Sequence, residues 1–296
     1  MWKGFESLSW SRGEVPLFAR QDGPADTGRL PLLLLHGHPQ TMAMWHRVAP
    51  VLARERRVVL MDLRGYGDSG RPAPGEDSAA YSKREMALDA VGLMRSLGHE
   101  RFAVLAHDRG ARVAHRLALD HPQAVERLML LDIAPTLAMY EGTGLDFAKA
   151  YWHWFFLIQP APLPERLIEA DPLAYLRDTM GRRGGAFFAP EAWAEYERAI
   201  RRPGTAAGIC ADYRASAGLD LVHDRADRAA GRRLSQPLHV LWGARGVVGR
   251  CFDPLALWRD AAEQVTGLAL DSGHYIAEEV PEQVLAEAAD FFDKDL

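Results

Sequence analysis

The residues best suited to chemistry lie in the segment FAVLAHDRGARVAHRLALDHP, which begins at Phe102. Its centre, Ala106 to Gly110, has the small–x–nucleophile–x–small pattern of a nucleophile elbow, with Asp108 in the middle. Small residues are needed there because a strand and a helix approach closely. A carboxylate is already ionised, so Asp108 could displace a leaving group from a saturated carbon and become an alkyl ester. The alternative is a structural Asx-turn.

Hydrolysis of such an ester would need a base, and His274 is the best candidate among eleven histidines. It closes the segment DSGH, which follows the last predicted strand and precedes the C-terminal helix. That position gives the chain order nucleophile, acid, histidine that accompanies a nucleophile elbow. The alternative is an ordinary loop histidine.

The acid that would orient this histidine is less obvious. Enzymes with an elbow often carry it after the strand predicted at Leu238–Trp242, but Gly246 stands in that place. Asp132, which ends the run LMLLD one strand earlier, is the natural substitute. The alternative acid is Asp253, on the loop that follows the strand predicted at Leu238–Trp242.

The loop His36-Gly37-His38-Pro39 follows the first buried strand. In folds with an elbow this loop supplies one backbone N–H of an oxyanion hole, and the residue after the nucleophile supplies the other. The predicted donors are therefore the backbone N–H groups of His38 and Arg109, which would stabilise the oxyanion formed when water attacks the ester.

Arg109 and Arg112 lie three residues apart and share one face of the helix after the elbow. Arginines are usually solvated, but two beside a nucleophilic carboxylate favour recognition of an anionic substrate, since guanidinium groups suit carboxylates. The later segment YWHWFF contains His153 and Trp154, which need hydrogen-bond partners if they are buried. They could donate to a departing halide, although a buried helix explains the neighbouring phenylalanines.

Short apolar runs alternate with helical patterns, which predicts an α/β fold with a mostly parallel sheet. The predicted strands are Pro31–Leu35, Arg57–Met61, Phe102–Ala106, Arg127–Leu131, Leu238–Trp242 and Gly267–Leu270, with a weaker one near Val15–Arg20. The predicted helices are Met44–Ala53, Tyr81–Leu97, Gly110–Asp120, Pro254–Gln264 and Pro281–Phe292.

This alternation stops between about Pro135 and Gln236, where aromatic residues, arginines and prolines replace buried strands. We interpret residues 136–235 as a helical cap inserted into a core formed by residues 1–135 and 236–296. A separate C-terminal domain is the alternative. The strands and helix predicted after residue 236 favour the insertion.

Composition excludes several classes of protein. The 296 residues are 48% hydrophobic and 25% charged, and the net charge of -5 gives no signature of binding to nucleic acid or to an anionic membrane. No run approaches the roughly 20 apolar residues of a membrane span. Cys210 and Cys251 lack metal-ligand spacing and are expected to be reduced thiols, so we expect a cytoplasmic protein without a metal site built on these cysteines.

Taken together, these segments resemble the fluoroacetate and haloacetate dehalogenases of the α/β-hydrolase superfamily. The resemblance covers nearly the whole chain and rests on LLLLHGHPQT, DLRGYGDSGRP, AHDRGARVAHRLALDHP, LDIAPT, YWHWFFLIQPAPLPE and DYRASAGLDLVHD. The HDRG-x-R and YWHW segments are specific to it. The HG-x-P and D-x-RG-x-GDS segments are shared with epoxide hydrolases and haloalkane dehalogenases.

The resemblance implies an α/β-hydrolase fold with an inserted helical cap, no cofactor and a homodimer. It also implies a nucleophile (Asp108), two carboxylate binders (Arg109 and Arg112), a water-activating pair (Asp132 and His274) and a halide cradle (His153, Trp154 and Tyr213). Two departures stand out: His38 replaces a phenylalanine common in this family, and residues 181–185 lack an expected tryptophan.

The sequence therefore predicts an enzyme that removes halide from a small 2-haloacid such as fluoroacetate through an ester on Asp108. One alternative is an epoxide hydrolase with the same nucleophile. It would need two cap tyrosines as acids, and an arginine pair suits a neutral epoxide poorly. The other alternative is a non-catalytic, ligand-binding relative.

Overall fold

An eight-stranded sheet forms the centre of the molecule in the computed structural model, which describes residues 1–181 and 185–293. Its strands are β1 (Glu6–Arg12), β2 (Val15–Asp22), β3 (Leu32–Leu35), β4 (Val58–Met61), β5 (Phe102–His107), β6 (Val125–Leu131), β7 (Leu238–Gly243) and β8 (Val265–Leu270). The order across the sheet is β1-β2-β4-β3-β5-β6-β7-β8. β2 pairs antiparallel with β1 and with β4, and every other pairing is parallel.

The six main predicted strands are confirmed, with ends that differ by at most two residues. The weaker strand near Val15–Arg20 is also confirmed, as part of β2. β1 was not predicted from the sequence. It is a polar edge strand joined to β2 through a turn at Gly13, whose φ is +60°. Its alternation of Leu8 and Trp10 with polar residues was the available signal.

Helices cover both faces of the sheet and fill the chain between β6 and β7. They are α1 (Ala49–Leu52), α2 (Lys83–Ser96), α3 (Asp108–Asp120), α4 (Thr136–Glu141), α5 (Leu145–Ala150), α6 (Trp152–Leu157), α7 (Leu163–Ala170), α8 (Pro172–Leu176), α9 (Pro190–Ile200), α10 (Thr205–Ala217), α11 (Leu219–Ala229), α12 (Val247–Cys251), α13 (Pro254–Ala261), α14 (Ile276–Glu279) and α15 (Pro281–Phe292). Two short 3-10 helices, Met42–Trp45 and Glu76–Tyr81, and a π-helical turn, Arg177–Gly181, complete the described elements.

One predicted helix was wrong in form. The pattern at Met44–Ala53 divides into the 3-10 helix Met42–Trp45 and the separate helix α1. Pro50 lies in the first turn of α1, where its missing N–H costs nothing, whereas inside a continuous helix its ring would clash with the preceding turn. Three other helices differ at their ends: α2 spans Lys83–Ser96 where Tyr81–Leu97 was predicted, α3 begins already at Asp108, and α13 ends at Ala261.

The chain between β6 and β7 forms helices α4 to α11 and, in its described part, no strand of the sheet. β6 and β7 are nevertheless parallel neighbours, with Leu128 opposite Leu238. The helical segment thus enters and leaves between two adjacent strands of one sheet. The domain boundaries at 135/136 and 235/236 stay a prediction.

The parallel strands place their following loops along one edge of the sheet. Gly37 and His38 follow β3, Asp108 follows β5, Asp132 follows β6, and His274 lies four residues after β8. Residues far apart in the sequence therefore meet at this edge. Within residues 1–181 and 185–293, no helix is long and apolar enough to span a bilayer.

Candidate active site

The turn between β5 and α3 is a tight, strained bend centred on Asp108, whose φ is +45°. Two glycines make it possible. A Cβ on Gly37 would lie 2.6 Å from the Cβ of Asp108, and a Cβ on Gly110 would lie 2.5 Å from the carbonyl oxygen of His36. Larger residues would push the strand, the loop and the helix apart. This crowding is the physical reason why the elbow pattern requires small residues near Asp108.

The carboxylate of Asp108 is 4% exposed and accepts a hydrogen bond from the backbone N–H of His38, with 2.9 Å between that nitrogen and Oδ1. Burial would raise the pKa of Asp108, but positive charge on His274 and on the two nearby arginines holds it well below its usual range. Asp108 is therefore ionised at neutral pH. Its own N–H and that of Arg109 belong to the first turn of α3, where backbone donors have no intrahelical acceptor.

His274 is paired with the acid that sequence reasoning preferred. Its Nδ1 donates to Oδ2 of Asp132 at 2.5 Å, and Oδ1 of Asp132 accepts from the N–H of Gly243 at 3.0 Å. Burial lowers the pKa of His274, but the hydrogen bond and charge of Asp132, together with Asp108, raise it overall. With Nδ1 occupied, Nε2 is the nitrogen left for chemistry, and His274 lines the same cavity as Asp108.

The alternative acid, Asp253, does not contact His274. It is exposed and caps α13, accepting from the N–H of Ala256 at 3.0 Å. The position of Gly246 explains why Asp132 can take the usual acid's place. A Cβ on Gly246 would lie 3.2 Å from Oδ1 of Asp132. A carboxylate on either backbone would therefore reach the same point.

Two neighbours of His274 were not singled out from the sequence. The hydroxyl of Tyr151 lies 3.1 Å from Nδ1 of His274. Nε2 of His107 lies 2.9 Å from the carbonyl oxygen of His274, and the two rings are 4.5 Å apart. Burial lowers the pKa of His107 to about 3, so its ring is neutral and its Nε2–H can donate to that carbonyl. Both residues lie within motifs that support the resemblance, His107 in AHDRGARVAHRLALDHP and Tyr151 at the start of YWHWFFLIQPAPLPE.

Arg109 is fully buried and already holds a carboxylate of the protein. Its Nε and Nη2 donate to the two oxygens of Asp212 at 2.9 and 2.7 Å, and Nη2 also reaches Ser216. Burial would lower the pKa of Arg109, but Asp212 raises it well above the ordinary value. Only Nη1 lacks a hydrogen-bond partner in the described ranges. Asp212 stood in the quoted segment DYRASAGLDLVHD, next to Tyr213, but nothing in the pattern assigned it a role.

Arg112 is the opposite case. Its side chain is 3% exposed, yet its hydrogen bonds go to the hydroxyl of Thr136 at 2.6 Å and the sulfur of Met139 at 3.3 Å. No carboxylate of the described chain lies within ion-pair distance, and its Nε has no partner there. Burial and the charge of Arg109 lower the pKa of Arg112 to about 10. The nearby charge of Asp108 offsets only part of this effect. A buried cation without an ion-pair partner is costly, so this group is suited to receive an anion from outside.

The three residues predicted to hold the halide lie together beside these arginines. The ring of Tyr213 is 5.9 Å from that of His153 and 6.4 Å from that of Trp154. The guanidinium of Arg109 lies 4.1 Å from the centre of the Tyr213 ring, and that of Arg112 lies 4.6 Å from the centre of the Trp154 ring. The indole Nε1–H of Trp154 is buried without a partner among the described residues.

His38, the departure from the family's usual phenylalanine, also belongs to this cluster. Its ring stacks on that of His153 with 5.9 Å between centres and lies edge-on to Tyr213. Its Nε2 lies 2.8 Å from the hydroxyl of Tyr175. Burial lowers the pKa of His38 well below the ordinary value, and that of His153 to about 3, so both rings are neutral at pH 7.

A cavity of about 600 Å³ opens onto the site. Asp108, His38, His153 and His274 line its inner part, and its other walls carry aromatic side chains such as Trp152, Phe187 and Tyr275. Arg109, Arg112, Trp154 and Tyr213 are buried and are not among the residues that line this cavity. The predicted departure at residues 181–185 lies mostly outside the described residues. Across residues 1–181 and 185–293, no group of three acidic, cysteine or histidine side chains is arranged to hold a metal ion.

Comparison with known proteins gives consistent results. The family described as alpha/beta hydrolase fold matches residues 31–184. A fluoroacetate dehalogenase from Burkholderia sp is 42% identical over 95% of this chain and 92% of that protein. A soluble epoxide hydrolase from Corynebacterium sp. (strain C12) is 34% identical over 88% and 90% of the two chains. The crystal structure of a candidate α/β hydrolase from Nostoc sp PCC 7120 superposes with a TM-score of 0.94 at 48% identity over both whole chains.

Proposed function

The chain belongs to the α/β-hydrolase family, and we propose that it is a hydrolytic dehalogenase that converts a small 2-haloacid, fluoroacetate or another haloacetate, to the 2-hydroxyacid and halide. The observation that carries this proposal is the buried guanidinium of Arg112, which has no carboxylate partner in the described chain and lies beside an ionised Asp108. A substrate carboxylate would supply the missing anion. A neutral substrate would leave the cation unpaired.

In the first step, Arg112 and the free Nη1 of Arg109 hold the carboxylate of the substrate. Asp108 Oδ1 is occupied by the N–H of His38, so Oδ2 is the oxygen that attacks the α-carbon. The new carbon–oxygen bond forms as the carbon–halogen bond breaks, and the halide leaves with the bonding electrons. Fluoride is a poor leaving group, and the donors of His153, Trp154 and Tyr213 would stabilise it as charge develops.

In the second step, Nε2 of His274 takes a proton from water, and the hydroxide attacks the carbonyl carbon of the Asp108 ester. Negative charge then develops on Oδ1, the atom that already accepts from the N–H of His38. The N–H of Arg109 is the second oxyanion donor in this proposal. Asp132 stabilises the imidazolium of His274 through the 2.5 Å hydrogen bond. As the intermediate collapses, the bond between the Asp108 carbonyl carbon and the substrate oxygen breaks, and that oxygen takes the proton from the His274 imidazolium to give the 2-hydroxyacid. Asp108 loses the remaining proton of the attacking water to solvent and returns to its carboxylate form.

Epoxide hydrolysis is the second candidate, because the Corynebacterium relative is named as a soluble epoxide hydrolase. One cap tyrosine, Tyr151, lines the cavity, and a second, Tyr175, contacts the lining residue His38. Their hydroxyls have other partners, however. That of Tyr151 lies against His274, and that of Tyr175 lies against His38. The uncompensated charge of Arg112 also suits a neutral epoxide poorly. The dehalogenase proposal accounts for more of the site.

The test is a substrate panel of fluoro-, chloro- and bromoacetate with styrene oxide, assayed for halide and diol. We expect halide from at least one haloacetate, and none from the D108N variant, whose amide is not a nucleophile. Diol from styrene oxide without any halide release would favour the epoxide hydrolase instead. Circular dichroism of D108N checks that the fold is intact. The homodimer implied by the resemblance and the cytoplasmic location expected from the composition remain predictions.

A further inference from the structure

One carboxylate holds both backbone N–H groups that flank His274. Oε2 of Glu279, at the end of α14, accepts from the N–H of Gly273 at 2.6 Å. Oε1 of the same side chain accepts from the N–H of Tyr275 at 3.0 Å. Charge-assisted hydrogen bonds of this kind are stronger than neutral ones, so the loop on either side of the histidine is fixed by a single residue.

The absence of a side chain at residue 273 makes this contact possible. A Cβ on Gly273 would lie 3.0 Å from Oε1 and 3.3 Å from Oε2 of Glu279, inside the usual contact distance. The other parts of His274 are held from different elements: its carbonyl oxygen by His107 and its ring by Asp132. Glu279 therefore supplies the restraint on the N–H side of the loop.

We propose that Glu279 is a positioning residue that keeps Nε2 of His274 aimed at the ester of Asp108 during the water-attack step. This inference rests on the proposed function and deepens it, because it assigns a role in only one of the two steps. Alkylation of Asp108 requires the carboxylate, the substrate and the halide donors, but not the imidazole as a base. Hydrolysis of the ester requires His274 in the correct place.

The chemistry of the side chain makes a clean variant available. A carboxylate accepts through both oxygens, whereas a glutamine of the same shape accepts through one oxygen and presents an NH₂ group to the second N–H. E279Q thus breaks one of the two hydrogen bonds and removes the charge with little change in volume. E282Q is the matched control, because Glu282 is exposed in the first turn of α15, three residues further on.

The charge of Glu279 also acts on His274, whose pKa it raises together with Asp132 and Asp108. The titratable groups that face the imidazole come from five places: Asp132 after β6, His107 and Asp108 at the elbow, Tyr151 before α6, His153 within it, and Tyr275 and Glu279 of its own segment. The E279Q variant removes the charge of Glu279 and leaves the nucleophile Asp108 and the base His274 chemically unchanged.

The kinetic experiment measures halide release by rapid quench with the haloacid in excess over enzyme, through the first turnover and into the steady state. For E279Q we expect one halide per active site at the wild-type rate, followed by a steady-state rate about 10- to 100-fold lower, the size that misplacement of a catalytic group produces. E282Q should match the wild type in both phases. An unchanged steady-state rate for E279Q would overturn the proposal. An equal loss in both phases, in a variant with wild-type circular dichroism, would overturn it too, since that result indicates general damage.

A second readout does not depend on turnover. Titration of the His274 ring by NMR should give a lower pKa in E279Q than in the wild type, and an unchanged pKa in E282Q. Identical pKa values in E279Q and the wild type would contradict the assignment. If the wild type released no halide from any haloacid, the proposed function would fail, and this titration alone would still decide whether Glu279 acts on His274.

Discussion

Replacement of Arg112 by methionine should have opposite effects on stability and on substrate binding. The side chain is 3% exposed, its charge has no carboxylate partner in the described part of the chain, and burial holds its pKa at about 10 against an ordinary 12.5. That difference corresponds to about 3 kcal/mol of unfavourable free energy for the charged form in the folded protein at neutral pH. R112M removes this cost, because methionine is apolar and of similar length.

The variant also loses favourable contacts of Arg112, and their free energies limit the net gain in the free energy of unfolding. The hydrogen bond to Thr136 is worth about 1 kcal/mol, and the cation–π contact with Trp154 about 1–2 kcal/mol in a desolvated site. The free energy of unfolding of R112M should therefore equal that of the wild type or exceed it by about 1 kcal/mol. Loss of a buried charge pair with the substrate costs about 2–5 kcal/mol, which is a roughly 30- to 5,000-fold loss in kcat/KM.

Urea unfolding and halide release, measured on the same samples, test both halves. Acetate has no leaving group and serves as a non-reactive anion, and it should stabilise the wild type but not R112M. The control is R116M. Arg116 lies one turn further along α3, but it contacts Asp120, Asp224 and Asp227, so its loss should destabilise by about 3–5 kcal/mol and leave KM unchanged. If R112M kept a KM within about twofold of the wild type, or lost as much stability as R116M, the role assigned to Arg112 would be wrong.

Three further predictions concern the groups around the nucleophile. His274 acts as a base only when neutral and its pKa is raised above the ordinary 6.5, so turnover should fall as pH drops through a midpoint above 6.5; a pH–rate profile with a midpoint below 6.5 would contradict this. D212N leaves the buried Arg109 without its partner, and equilibrium urea unfolding should record a loss of about 3–5 kcal/mol; a loss under about 1 kcal/mol would mean that the pair is unimportant. D132N should lower turnover about 10⁴-fold. Adding G246D should restore part of the turnover, because a carboxylate at position 246 reaches the point that the Asp132 carboxylate occupies. Halide assays that find no recovery in the double variant would refute that geometry.

The positions of several candidate site residues could be predicted because each step of the proposed chemistry would impose a local pattern. The elbow at Asp108 needs small neighbours for steric reasons. A Cβ on Gly110 would lie only 2.5 Å from the carbonyl oxygen of His36. The choice of Asp132 followed from the glycine at 246, where the usual acid is missing. Buried parallel strands have continuous apolar runs, so their ends, and the residues that follow them, could be located to within two residues.

Other features have no local pattern that could reveal them. Arg109 and Arg112 looked equivalent in the sequence because they share a helix face. The structure separates them, since Asp212 on α10 pairs with Arg109, and with Lys83, but not with Arg112. That contact joins residues more than a hundred positions apart, across two elements whose packing no spacing rule describes. The contact of Glu279 with the loop around His274 depends in the same way on how a short helix folds back.

The central claim is that Asp108 itself forms the ester, and a single-turnover reaction in water enriched in ¹⁸O tests it directly. With enzyme in excess over fluoroacetate, the attacking water should leave its oxygen in the carboxylate of Asp108, and mass spectrometry of the peptide that contains Asp108 should find the label there. The glycolate released in that first turnover should carry none. Label in the glycolate and not in Asp108 would mean that water attacks the substrate directly, and the mechanism would be wrong.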